Sequence, residues 1–530
     1  MNSLIHQVGL YYRTLRHLTL RQLYYQVVHR LKKLINKQNR NIESGFEQIR
    51  TINLLASIPS INSYLGNQTF IFLNKEKTFQ GKIDWEFIGY EKLWVYNLNY
   101  FDYLNQRQIS LKESIYLMDE FCDDYSQRRQ GTEPYPISLR GINWIKFFSF
   151  NKINNQRYNV ILYSDYNLLA NNLEYHLLGN HLLENGFSLL FGAYYFKSEN
   201  FYKKSITILY DELEEQILED GAHFELSPMY HQIILFRLLD CINLVRNNSW
   251  NENHDLLRFI EGKARKMLGW IEAVSFKNGD VPMVNDSAYG IAPSSFELLD
   301  YGRNLDVYPE KISLSTSGYR MIRQEKFELF IDIGNIGPDY IPGHAHSDTF
   351  NFILYVKDRP VLVDTGISTY NRNKQRILER STISHNTVKV HGHEQSEMWA
   401  SFRVGRRAKV TNTKESFLEI SATHNGYEFL GIEHKRTWQW DMGQLKIIDE
   451  ILGKFTGLPN EAYFHFHPGI DVQIQSNSVT AGSITLHFSH PTACLLDDYD
   501  FSIGFNRSQK AKKLIVSFAQ KLESTITISH

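Results

Sequence analysis

The sequence predicts an α+β multidomain chain, helices first and an antiparallel β-sandwich second, on three observations. Its 530 residues exceed the size at which one hydrophobic core stops growing, so two or three domains are expected. From about Glu91 to Leu299 the apolar residues recur at spacings of three and four, broken by turn signals at Asn185-Gly186, Asp220-Gly221 and Asn278-Gly279, which is the period of stacked helices. From about Gly318 short runs rich in β-branched and aromatic residues take over, among them Phe327–Ile333, Phe350–Val356 and Val388–Val390, separated by Gly, Asn and Asp as in an antiparallel sandwich. The expected division is a basic extension over 1–90, a helical domain over 91–310 and a sandwich over 311–530.

The extension stands apart by charge. Its first forty residues hold eight Lys or Arg and no acid, while the whole chain sums to −1, leaving the rest acidic. That balance argues against a general nucleic-acid binder. Aromatic, leucine and basic positions alternate from Leu10 to Lys33 at helical spacing, which fits either peripheral contact with an anionic membrane or docking on the acidic remainder. No secretory signal core and no run of eighteen apolar residues is present, so a cytoplasmic or membrane-peripheral protein is expected, with the periplasm left open. Cys122, Cys241 and Cys494 are too few and too scattered for a disulfide framework or a cysteine metal site. The aromatic content of 14% is compatible with sugar stacking but is explained as well by core packing.

In the helical half, Leu168–Phe196 is leucine-rich on every side, as in a helix buried among others. Through it runs a polar arc of Glu174, Asn180, His181, Glu184 and Asn185, which must find partners or line a cleft, because a buried unpaired polar group costs about 1–3 kcal/mol. In the second segment, Asp220–His231, Ser227 reads as an N-cap and Pro228 as the first helical residue. Tyr230 then sits in the first turn, where the helix dipole favours a phenolate by roughly 0.3–1 kcal/mol.

In the sandwich half, Gly343-His344-Ala345-His346-Ser347-Asp348 is followed by Asp364-Thr365-Gly366 and Ser384-His385-Asn386-Thr387. In extended chain His344 and His346 point to one face. Imidazoles and a carboxylate grouped in this way suit Zn²⁺ or a similar divalent ion.

Together with Gly179–Asn185, Val388–Val390 and Gln395–Trp399, these segments resemble the heparinase II/III-like polysaccharide lyases, including their alginate lyase relatives. The matching stretches are spread over some 220 residues in the family's order. The resemblance implies an incomplete (α/α) toroid followed by the sandwich, and β-elimination at a uronic acid within an acidic polysaccharide. It implies that Asn180 and His181 neutralise the uronate carboxylate, that Tyr230 is base, acid or both, and that His344 assists proton removal. It implies a mainly structural Zn²⁺ on His346, Asp364 and His385. Glu184, Glu225, Arg140, Trp144 and Arg403 are candidates for substrate binding. The basic leader resembles that of relatives tied to bacterial exopolysaccharide or capsule metabolism.

Two rival readings stay open at this level. A glycoside hydrolase would use paired carboxylates such as Glu174 with Glu184 or Glu225, roughly 5–9.5 Å apart. A non-catalytic polysaccharide-binding protein would keep the fold without turnover. The sequence leaves the polymer and the oligomeric state open.

Overall fold

The computed structural model describes residues 2–35, 45–46, 49, 51–454, 457–475 and 478–529. Two helices lead the chain, α1 (Asn2–Leu15) and α2 (Leu20–Ile35), followed by a small hairpin of Thr69–Phe72 with Lys75–Thr78. Then come α3 (Lys92–Tyr100), α4 (Leu111–Asp123), α5 (Pro134–Asn151), α6 (Gln156–Asn171), α7 (Gly179–Phe196), α8 (Glu199–Gln216), α9 (Pro228–Arg246), α10 (His254–Val274) and α11 (Ser295–Asn304).

The helices form two layers. The odd-numbered α3, α5, α7, α9 and α11 pack side by side in sequence, while α6, α8 and α10 lie against them from outside. The burial follows the layers. Along α7 almost every residue is buried, whereas α8 buries one stripe and exposes the other. An inner helix touches neighbours on all sides and must be apolar all round; an outer one needs a single apolar face. This is the open toroid.

The region read as one leucine-rich helix, 168–196, is two. The chain leaves α6 at Asn171 and starts α7 at Gly179, with Leu178 and Gly179 both at left-handed φ (64° and 59°). Asn185-Gly186, read as a turn, lies inside α7 instead. The missing side chain of Gly186 admits Ile208 of α8, so this glycine serves packing.

The second half is antiparallel throughout. An eight-stranded sheet runs in the order 410–416, 419–424, 432–440, 444–453, 521–528, 484–489, 478–481, 472–475. Facing it are four strands ordered 493–504, 507–518, 460–465, 388–390 and another four ordered 319–323, 327–332, 352–356, 359–362, joined by the Leu362–Phe466 bridge. Strand pairs bury alternate residues, as in Ile432–Trp440, and the inward side chains of all three sheets make one core with Trp438, Phe464 and Leu514 at full burial.

The two leading helices strap both lobes. On the sandwich side Arg13 donates to both oxygens of Glu397 (2.7 and 2.9 Å), and Trp399 Nε1 donates to Thr14 Oγ1 (3.0 Å). On the toroid side Tyr25 stacks on Tyr175, His29 stacks on His176, and Arg21 pairs with Glu212 at 3.6 Å.

Candidate active site

The seam between toroid and sandwich gathers the reactive side chains. Ser227 caps α9 by accepting from Tyr230 N–H, which sets Tyr230 in the first turn with its ring 4.1 Å, centre to centre, from that of His344. The Tyr230 hydroxyl also meets that of Tyr370 at 3.3 Å. Burial, with the anions Asp286 and Glu225 nearby, pushes the Tyr230 phenol well above its ordinary value. Desolvation thus outweighs the small preference of the helix dipole for a phenolate, and the resting group is a neutral phenol.

His344 and His346 lie in a loop, not on a strand, yet both rings reach one carboxylate. Asp286 meets His344 Nδ1 with one oxygen (2.8 Å) and His346 Nε2 with the other (2.9 Å), and Arg376 on α12 (Lys374–Glu379) spans both oxygens. The Arg376 charge and these donors hold Asp286, against its burial, well below the usual carboxylate range. An ionised carboxylate only accepts, so the proton sits on His344 Nδ1, and in the neutral ring Nε2 keeps its lone pair. Nε2 lies 3.8 Å from Glu225.

On the toroid side the left-handed step at Leu178 and Gly179 brings α7 close to Glu225, so close that a Cβ on Gly179 would stand 2.9 Å from a Glu225 oxygen. The Asn180 amide donates to both oxygens of Glu225 (3.0 and 2.9 Å). His181 meets Glu174 through Nδ1 at 3.2 Å, packs on Tyr135 and leaves 39% of its side chain open. Burial disfavours its cation, but Glu174, Glu225 and Glu184 win, and its pKa is raised.

Several expected substrate contacts fall elsewhere. Arg140 is buried, forked onto Asp165 and bonded to the carbonyls of Asn99 and Gly131; Trp144 is buried in the same aromatic core. Neither has a face for a sugar. Glu184 is buried in an ion pair with Arg237 (3.0 Å), and Glu225 holds Asn180. Arg403 is exposed, next to Phe402, whose ring lies 6.0 Å from that of His344. Asp286, Arg376 and Tyr370 complete the site without any signal in the sequence. Nothing in their local pattern marks them, since they join the site through loop packing alone.

The expected metal ligands are adjacent and fully buried. His385 Nδ1 meets Asp364 Oδ2 at 2.8 Å, and the His346 and His385 rings lie 5.3 Å apart. Among the described residues no three His, Cys, Asp or Glu side chains stand together at metal-holding spacing. The two imidazoles nevertheless suit a divalent ion, since His346 Nδ1 and His385 Nε2 are buried without a hydrogen-bond partner among the described residues, as is Asp348 Oδ2, a state that ordinarily costs about 1–3 kcal/mol each; both Asp364 oxygens instead accept, from His385, Asn351 and Gly366 N–H.

A helical toroid closed against an antiparallel sandwich, with imidazoles and a phenol at the seam, defines a two-lobed architecture that known proteins share. A family profile described as "Heparinase II/III N-terminus" matches residues 143–315, and one described as "Heparinase II/III-like, C-terminal" matches 308–529. The chain belongs to the heparinase II/III-like family. It is similar to a heparin-sulfate lyase of Bacteroides stercoris, 24% identical over 54% of this chain and 46% of the relative, and to one of Pedobacter heparinus, 22% identical over 53% and 45%. The chain thus matches somewhat under half the length of these curated relatives. Among solved structures, a heparinase III superposes with a TM-score of 0.67 at 15% identity, covering 96% of this chain and 90% of the other. A heparan sulfate lyase mutant of Pedobacter heparinus gives 0.59 at 16% identity, covering 88% and 82%.

Proposed function

We propose that the protein is a polysaccharide lyase that cleaves a uronic-acid-containing acidic polysaccharide by β-elimination. The observation that carries this reading is the close Tyr230–His344 pair at the seam, ring centres 4.1 Å apart, one ring bearing a hydroxyl proton and the other a nitrogen lone pair. His181, whose cation Glu174 favours, presents its open edge to the uronate carboxylate, joined by Asn180 once its amide leaves Glu225. Neutralising that charge is the largest requirement, because the C5 proton becomes removable only when the resulting anion is stabilised.

His344 Nε2 takes the C5 proton while Asp286 fixes the ring and its tautomer. The C5–H electron pair forms the C4–C5 double bond, the C4–O bond breaks with its electrons on oxygen, and that oxygen takes the Tyr230 proton. The products are an unsaturated uronate and a new hydroxyl end. Acid and base contribute about 10²–10⁴-fold each. His346, Asp364 and His385 would hold a Zn²⁺, whose contribution is to tie the loops that carry them. A hydrolytic reading is supported less well, since Glu174, Glu184 and Glu225 each already serve a partner. Within this reading, a role in bacterial exopolysaccharide metabolism is favoured by the basic leader.

The test is incubation with a panel of acidic polysaccharides, read for a new ultraviolet-absorbing unsaturated product. Chain shortening without that product defeats the reading. Tight binding without shortening, unchanged in Y230F, defeats it in favour of a binding protein.

A further inference from the structure

The strap helices carry apolar surface on the wrong side. In α2 the residues turned to the body are Gln22, Tyr25 and His29, of which Gln22 is buried and bonds Tyr340 O and the other two stack on Tyr175 and His176. Leu20, Leu23, Tyr24, Val27 and Leu31 are instead 44–85% exposed, and at helical pitch they share one arc of roughly 100°. Val8, Tyr12 and Leu15 repeat the pattern on α1, each more than half exposed. A helix docked only on its own protein turns its apolar stripe inward. These two turn it outward.

One border of the α2 stripe carries the exposed Arg30, and no acid occurs before Glu43; Arg21 and Lys32, beyond the other border, turn to the body and meet Glu212 and the Asn171 carbonyl. Tyrosines at its edge suit the boundary between headgroups and acyl chains. No helix among the described residues is long and apolar enough to cross a membrane, which leaves an in-plane seat. We infer that α1 and α2 form an interfacial anchor that lays this protein on an anionic lipid surface, with the aliphatic stripe entering the headgroup boundary and the flanking Arg30 meeting lipid phosphate. The strap touches Tyr175 and Tyr340, which sit on the segments leading into Asn180 and His344, so the anchor seats the seam at the lipid surface.

The test is flotation of the full chain with vesicles of phosphatidylglycerol mixed with phosphatidylcholine, against phosphatidylcholine alone. Flotation with the anionic vesicles, reduced by added salt, is expected. L23S/V27S should lower partitioning at least about tenfold, by the area it withdraws, and R30E about fivefold or more, with unchanged circular-dichroism melting in both. Failure to float with either vesicle overturns the inference, as does equal flotation of L23S/V27S. It is also overturned if the chain is a dimer in sedimentation equilibrium that L23S/V27S dissociates while neither form binds vesicles, since the stripe would then seat a second copy.

Discussion

Two clusters in this protein have nearly the same composition and opposite fates. At the seam, Asp286 holds His344, His346 and Arg376; inside the sandwich, Asp449 holds His434 and Arg436, and His434 in turn meets His424 at 3.1 Å. In the inner cluster every member is fully buried, both histidines are pushed below their ordinary value by burial, and Arg436 spends its remaining donors on the carbonyls of Phe350 and Asn386. At the seam His344 keeps an open edge beside Tyr230. Residue type therefore does not separate a reactive cluster from a structural one. Access and a spare lone pair do.

The sharpest way to break the contrast is at the seam itself. Y230F and H344A should each lower turnover about 10²–10⁴-fold with melting unchanged, measured as initial rates of unsaturated product and by calorimetry. In the inner cluster, D449N should leave a buried guanidinium without its countercharge and cost about 3–5 kcal/mol of stability, while turnover per folded molecule stays at the parent value. D286N should do both, losing stability to the stranded Arg376 and turnover to the loosened His344, which denaturant melts and rates on one sample will separate. H385A should lower metal content and melting together, because ligand loss couples to folding; equal melting and activity of metal-free protein would remove Zn²⁺ from the proposal.

The smallest expected effect lies at the strap. Burial raises Glu212 from 4.5 to about 7 despite its Arg21 partner. A carboxyl raised in the fold gives stability that is complete below 4.5 and lost as pH rises through 7. E212Q should flatten melting temperature across that window.

The sequence is most legible where a pattern is local and repeats. The β-branched and aromatic runs of Phe327–Asp332 and Phe352–Val356 and the three-four spacing through α7 and α9 survive without knowledge of the partner. The cap at Ser227 is equally readable, since capping is local chemistry. What fails is one-body reasoning about two-body contacts. Arg140 and Trp144 look like sugar ligands until Asp165 and the aromatic core claim them. Asn185-Gly186 looks like a turn until Ile208 fills the space. Asp286 is invisible as a partner of His344 because 58 residues separate them.

One carboxylate plane carries a final consequence. Asp286 gives one oxygen to the candidate base and the other to a candidate metal histidine, and a rigid planar group cannot pivot for one without swinging the other. A shift of the loop around His346 would therefore reach the His344 ring through this shared carboxylate. The seating of His346 and Arg376 and the orientation of the candidate base thus share one side chain.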